Sequence, residues 1–261
     1  MKQKGKVAYT PEQKNRKSET TQRVFNLIIL DESGSMTAIA KQAVSGLNET
    51  FQTIRNAQKE HQKQQYFISF VTFNSGWIRK VMDMQPVDVT KNMVWNDFRP
   101  DNCTPLFDAM GQSLNELKRY VEKEDVVLVT IITDGMENAS QEYSGRDIKK
   151  LVADLKEKGW VFAYIGTNQD VDAVADDLGI RSRMRYEYSD EGTRGMFEEE
   201  RRSRRVFFDR ISIEGKGFLK DKAFDYFNPD DNNEGYNDLS NTNESEVRMN
   251  LWGKIKKLIK G

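Results

Sequence analysis

At 261 residues the chain is long enough for one large domain or two small ones. Hydrophobic residues make up 37% and charged residues 31%, so a core must share the chain with very polar segments. The formal net charge of -1 leaves no global field to attract nucleic acid or a membrane, and the single cysteine, Cys103, excludes an internal disulfide and points to a reducing, cytoplasmic setting.

The opening Met1-Lys2-Gln3-Lys4-Gly5-Lys6 is followed by no apolar h-region, so no secretory signal is expected. No apolar run approaches the ~20 residues of a membrane-spanning helix. Residues 1–22 are Lys, Gln, Thr and Ser with few apolar groups and read as a disordered basic arm. Val24 to Leu30 is a near-continuous apolar run, the mark of a strand buried on both faces. Met36, Ile39, Ala43, Leu47, Phe51 and Ile54 then recur at helical spacing. Tyr66 to Phe73 and Trp77 to Met84 are strands joined through Asn74-Ser75-Gly76, a hairpin turn. Thr104-Pro105 opens the next helix, with proline at its first position.

Val126 to Thr133 is a further apolar strand, and a helix over Ser144 to Lys158 leads to the strand Trp160 to Ile165. A short helix over Asp170 to Leu178, a weak strand over Arg183 to Tyr188 and a charged helix over Asp190 to Arg210 complete the unit. Strands alternating with helices predict a doubly wound, mostly parallel six-stranded sheet with one antiparallel edge strand and helices on both faces. Sites in such sheets lie beyond the carboxyl ends of the strands.

Residues 23–213 form this domain, 214–246 an acidic, Asn-rich linker, and 247–261 a short basic amphipathic helix. Between Asp225 and Glu246 there are seven acidic residues and no Lys or Arg. The final segment presents Leu251, Trp252, Ile255, Leu258 and Ile259 as an interaction face, with Lys254, Lys256, Lys257 and Lys260 largely off it. It is too short for a stable helix alone. It is expected to fold onto its own domain or a partner, ahead of an anionic membrane surface.

Chemistry concentrates in three loops. Asp31, Ser33 and Ser35 follow the first strand, Thr104 starts a helix, and Asp134-Gly135 follows the strand ending at Thr133. Singly these read as helix caps and turns. A doubly wound order makes their strands neighbours, so the five residues should present oxygens to one small volume, as hard cations require.

Taken in order, these residues resemble the von Willebrand factor A domain with an intact metal-ion-dependent adhesion site. The resemblance spans about Arg23 to Ile213 and implies a Rossmann-like fold. It implies Mg²⁺ (or Mn²⁺) as cofactor, with Ser33, Ser35 and Thr104 meeting the metal through hydroxyls and Asp31 and Asp134 directly or through water. It also implies a protein partner whose carboxylate completes the coordination shell. The phrases Leu30-Asp31-Glu32-Ser33-Gly34-Ser35-Met36, Thr133-Asp134-Gly135-Met136-Glu137-Asn138 and Ile165-Gly166-Thr167-Asn168-Gln169-Asp170 are most similar to bacterial, intracellular stand-alone members. Glu32, Asp101, Asn102, Glu137, Asn168, Gln169 and Asp170 are candidates for a partner-selecting rim, with caps and turns as the alternative for each of the latter loops. Where many relatives carry a glycine-rich loop before this threonine, the chain has Asp101-Asn102-Cys103, and Cys103 is expected to be a small, partly buried residue.

A metal-dependent hydrolase, for example a phosphatase with Asp31 as nucleophile, is the alternative function. It requires a second acid two residues on as general acid, where the chain has Ser33. The one histidine, His61, is placed at the far end of the first helix, on the surface. The run Arg201-Arg202-Ser203-Arg204-Arg205 follows Glu198-Glu199-Glu200 on one helix. Pairing at spacing four makes it a salt-bridged solvated face rather than a nucleic-acid site.

Overall fold

The computed structural model of the protein describes residues 21–167, 171–220 and 224–228. Residues 1–20 of the arm expected over 1–22, the rim positions Asn168, Gln169 and Asp170, and the tail helix with Leu251, Trp252, Ile255, Leu258 and Ile259 lie outside the described residues, while Gln22 of that arm is the first residue of a strand.

One sheet runs through the molecule. Its strands are β1 (Gln22–Asp31), β2 (Gln64–Asn74), β3 (Trp77–Pro86), β4 (Val126–Ile132), β5 (Val161–Thr167) and β6 (Ser182–Tyr186), in the order β3-β2-β1-β4-β5-β6. All pairings are parallel except that of β3 with β2, the hairpin that forms the antiparallel edge. The helices are α1 (Ala40–Glu60), α2 (Leu106–Leu117), α3 (Gly145–Lys156), α4 (Val171–Asp177) and α5 (Asp190–Glu214). A 3₁₀ segment, Gly34–Ile39, leads into α1.

Side chains alternate along a strand, so β1 supplies two cores. Val24, Ile28 and Leu30 pack with α1 and α5 on one face, while Phe25, Leu27 and Ile29 pack with α2, α3 and α4 on the other. The register pairs Leu30 with Ile132 and Asp31 with Phe73, which aligns the ends of β1, β2 and β4 along one edge. The strand order reverses at β1, with α1 leaving to one face and α2 to the other. That reversal opens a crevice over the ends of β1 and β4.

Three expectations change. Pro105 occupies the cap position and α2 begins one residue later, at Leu106. The domain does not end at 213: a 3₁₀ segment, Gly217–Lys220, and residues 224–228 pack back onto it, with Tyr226 and Phe227 buried. Phe207 meets the rings of Phe218, Phe224 and Tyr226, and the Arg210 guanidinium lies over Phe218. The apolar cost of exposing four aromatic rings outweighs the acidic composition around them.

The arginine run is the third. Arg204 is not solvated but fully buried, together with Glu200. Its guanidinium donates to Glu200 Oε1 at 2.5 and 2.8 Å, to Asn26 Oδ1 at 2.7 Å and to Thr130 Oγ1 at 2.8 Å. Tyr226 OH donates to Glu200 Oε1 at 3.2 Å, and Thr50 Oγ1 to Glu200 Oε2 at 3.3 Å. The remaining arginines do face outward, Arg201 pairing with Glu49 and Arg202 with Glu199.

Candidate metal centre

Asp31 is the last residue of β1 and is fully buried, with Ser33 and Thr104 almost so and Ser35 at the exposed lip. The loop after β1 folds on itself: Ser33 N donates to Asp31 Oδ1 at 2.7 Å, and the hydroxyls of Ser33 and Ser35 lie 3.2 Å apart. Ser35 Oγ donates to Asp134 Oδ1 at 2.8 Å, which joins the loops after β1 and β4.

Thr104 reaches the same place by a longer route. The Asp101–Thr104 loop is stitched to the loop after β1, with Gly34 N donating to Asn102 O and Asp101 N to Glu32 O, both at 3.0 Å. It is also tied to the β2–β3 hairpin through Ser75 N and Cys103 O at 3.0 Å. Asn102 takes φ = 64°, a left-handed turn that asparagine tolerates.

The convergence can be read from Gly135. A Cβ there would stand 3.0 Å from Thr104 Oγ1, 3.8 Å from Asp31 Oδ2 and 3.9 Å from Ser35 Oγ. Oxygens from two separate loops therefore face one point on a third, and glycine keeps it open. Asp134 Oδ2 is buried without a hydrogen-bond partner among the described residues, as is the hydroxyl of Tyr186 on β6. A buried unpaired carboxylate oxygen is costly and asks for a cation or an ordered water. Two carboxylates, one with an orphaned oxygen, and three hydroxyls are the donor chemistry of a hard divalent cation.

Electrostatics agree. Burial pushes the Asp31 carboxyl up to about 6 against its hydrogen bonds from Thr133 and Ser33, and the Asp134 charge adds to the rise. Burial raises Asp134 as well. Burial also raises the Tyr186 phenol, followed by the charges of Asp134 and Asp31.

All five expected ligands are thus brought together; of the expected rim, Glu32 and Glu137 are engaged elsewhere. Glu32 is buried and turned away: its carboxylate accepts from Arg79 Nη2 at 3.1 Å, Trp77 Nε1 at 3.1 Å and Arg99 N at 2.5 Å. It braces the loop and cannot meet a partner. Glu137 is spoken for by the amides of Phe107, Ala139 and Ser140, a cap on α2. Asp101 and Asn102 are exposed beside the site, and so is Cys103, against the expectation of partial burial. His61 lies at the opposite end of the sheet, half-buried rather than on the surface, with Nε2 3.1 Å from Asp209 Oδ1. The only cluster of three His, Cys, Asp or Glu side chains with metal-ligand spacing among the described residues is there, Glu60, His61 and Asp209.

Two positioning residues escaped the sequence. Thr133 Oγ1 donates to Asp31 Oδ2 at 2.6 Å, and Asn138 Oδ1 accepts from Thr104 N at 2.9 Å. A hydroxyl directly before Asp134 was the available signal for the first; nothing local marks the second.

No protein-family model matches this sequence, and no curated protein is similar to it. Solved structures are similar in fold. A von Willebrand factor type A protein from Catenulispora acidiphila superposes with TM-score 0.51 at 13% identity, covering 70% of this chain and 43% of that one. The pilus adhesin SpaC from Lactobacillus rhamnosus GG, in its open conformation, gives 0.55 at 11%, covering 72% and 30%. The chain has the fold of a von Willebrand factor A domain. The vWF domain of a type V pili tip protein from Porphyromonas gingivalis gives 0.50 at 9% identity, covering 72% of this chain and 97% of that domain. The chain therefore spans less than half of the first two proteins and nearly all of the third. At these identities the likeness concerns the A-domain fold alone. No helix among the described residues is long and apolar enough to cross a membrane.

Proposed function

We propose that this chain is a metal-dependent protein-binding module whose adhesion site holds Mg²⁺ or Mn²⁺. The observation that carries the reading is the orphaned Asp134 Oδ2 beside the point where Thr104, Asp31 and Ser35 converge. Ser33, Ser35 and Thr104 are the neutral ligands, and Asp31 and Asp134 supply the charge, directly or through water. Five oxygen ligands leave an octahedral ion at least one open position, and a carboxylate from a protein partner fills it.

Catalysis ranks behind binding. A hydrolase built on Asp31 needs a neighbouring general acid, and the position two residues on is Ser33; the only histidine is at the other end of the sheet. Pilus adhesins are among the proteins with this fold. We place this chain in the cytoplasm on its single cysteine and its resemblance to intracellular stand-alone members; cell fractionation tests that placement. Calorimetry with Mn²⁺ tests the site itself: wild type binds, Asp31→Ala and Asp134→Ala do not, and all three keep the same circular dichroism. Equal binding by wild type and Asp31→Ala overturns the assignment.

A further inference from the structure

Beside the cation site lies a cleft of about 320 Å³ that shares Ser35 and Asp134 with it. The far wall is apolar. Tyr164 of β5 and Val171 of α4 are buried, Val174 is partly buried, and Met136 is 59% exposed at the lip. Gly166 makes this possible: a Cβ there would come within 2.8 Å of Val171 Cγ2, so only glycine lets α4 sit this close to β5. The near wall is held by Tyr188, whose hydroxyl donates to Ser35 O.

Among the described residues the lining contains no Lys or Arg, so a bound cation is what would hold an anion there. The volume is at the low end of ligand clefts (~300–1,000 Å³), enough for one or two side chains. With the cation in place Asp134 is engaged, the hydroxyls of Thr133 and Thr167 are bonded to Asp31 and to Asp134 O, and what remains open is mostly hydrocarbon and aromatic surface.

We propose that the cleft is the second half of the recognition site: the partner is an extended segment with an acidic residue on the cation and a large aliphatic or aromatic side chain, within two residues of it, in the cleft. An extended chain rises about 3.3 Å per residue, which carries a neighbouring side chain from one half to the other. The inference rests on the cation reading, and the experiment separates the two. The full chain, loaded with Mg²⁺, is panned against displayed random heptapeptides with a fixed central Glu, and bound phage are eluted with EDTA. The eluted peptides are expected to carry Leu, Ile, Met, Phe or Tyr at one fixed position within two residues of the Glu. Met136→Ser, on the exposed lip where folding is not at stake, and Val174→Ser should each weaken those peptides about tenfold, the loss expected for removing much of one apolar side chain's burial. Both variants should bind Mn²⁺ as wild type does in calorimetry. Mn²⁺ binding without chelator-eluted peptides overturns the cleft proposal, as do peptides lacking that apolar position or bound equally by Met136→Ser. Absence of Mn²⁺ binding by wild type overturns the cation reading and the cleft with it.

Discussion

Glu200 and Arg204 lie buried between α5 and the middle of the sheet, while Asp31 and Asp134 lie at its carboxyl edge, so the same fold holds two sites of buried charge. In the first, opposite charges meet, and Asn26, Thr50, Thr130 and Tyr226 complete the hydrogen bonding. In the second, two like charges meet, and Asp134 Oδ2 has no partner among the described residues. A cluster that closes on itself is structure; one left with excess charge and an unpaired oxygen is where we propose that something from outside the chain binds. The difference can be broken from either side.

The largest effect is expected at the closed cluster. Arg204→Met removes the cation and leaves Glu200 buried beside it. Breaking a buried pair in this way costs about 3–5 kcal/mol, read as a drop in unfolding free energy in urea. The double variant Arg204→Met/Glu200→Leu should recover most of the loss, because it removes both charges together. If Arg204→Met alone is nearly neutral, the pair is not desolvated as described.

The open cluster is expected to respond to pH in the opposite sense from an ordinary salt-bridged acid. The Asp31 carboxyl is raised from 3.8 to about 6, so the folded chain holds this proton more tightly than the unfolded chain. Its contribution is fully present below about pH 4 and is lost as pH rises through about 6, ~3 kcal/mol in all. In EDTA, Asp31→Asn should therefore gain about 2 kcal/mol on wild type between pH 4.5 and 7.5. Saturating Mg²⁺ should erase the gain, because the cation then stabilises the ionised carboxyl. A gap that does not change with pH in EDTA would show that Asp31 is solvated.

Gly135→Ala tests the open space itself. The added methyl would crowd Thr104 Oγ1 at 3.0 Å and intrude among the oxygens of Asp31 and Ser35. Mn²⁺ affinity should fall at least tenfold, about 1.4 kcal/mol, with the melting temperature in EDTA unchanged within a few degrees. Unchanged affinity would place the cation elsewhere.

The open cluster was legible in the sequence and the closed one was not, and the reason is physical. Asp31, Ser33, Ser35, Thr104 and Asp134 each sit where an apolar strand stops or a helix starts, and β1, β4 and α2 are strongly marked by Val24 to Leu30, Val126 to Thr133 and the Thr104-Pro105 start. Strand alternation and register then carry those loops to one edge. Arg204 stands in a run whose neighbours are solvated. Its burial is written only in the stripe Met196, Phe197, Glu200, Ser203, Arg204, Phe207, Phe208 and Ile211, where Glu200 and Arg204 occupy core positions at spacing four. The charged neighbours mask that periodicity. Tyr226 and Phe227 were hidden by averaging, since two aromatics do not change the composition of an acidic segment. Glu32 misled for a related reason: its neighbours are ligands, but it faces Arg79 and Trp77 on the hairpin instead of the crevice.

The smallest predicted effect joins the closed cluster to the segment beyond the expected domain boundary. Tyr226 packs its ring 5.8 Å from that of Phe207 and 4.9 Å from that of Phe227, and its hydroxyl lies 3.2 Å from Glu200 Oε1. Tyr226→Phe keeps the ring and deletes only the hydroxyl, so it should cost about 1 kcal/mol, the worth of one hydrogen bond that leaves a charged acceptor otherwise paired. Mn²⁺ affinity should stay within twofold. Asn26, which holds Arg204, and Asp31 are five residues apart on β1, about 16 Å along a parallel strand. At that separation Tyr226→Phe combined with Asp134→Asn should be additive to within about 0.5 kcal/mol. A larger coupling would mean that the strap over 224–228 senses the cation edge through β1, and that the two clusters form one system. An effect of Tyr226→Phe near zero would mean that the aromatic packing of Phe207, Phe224 and Tyr226 alone holds this segment to the domain.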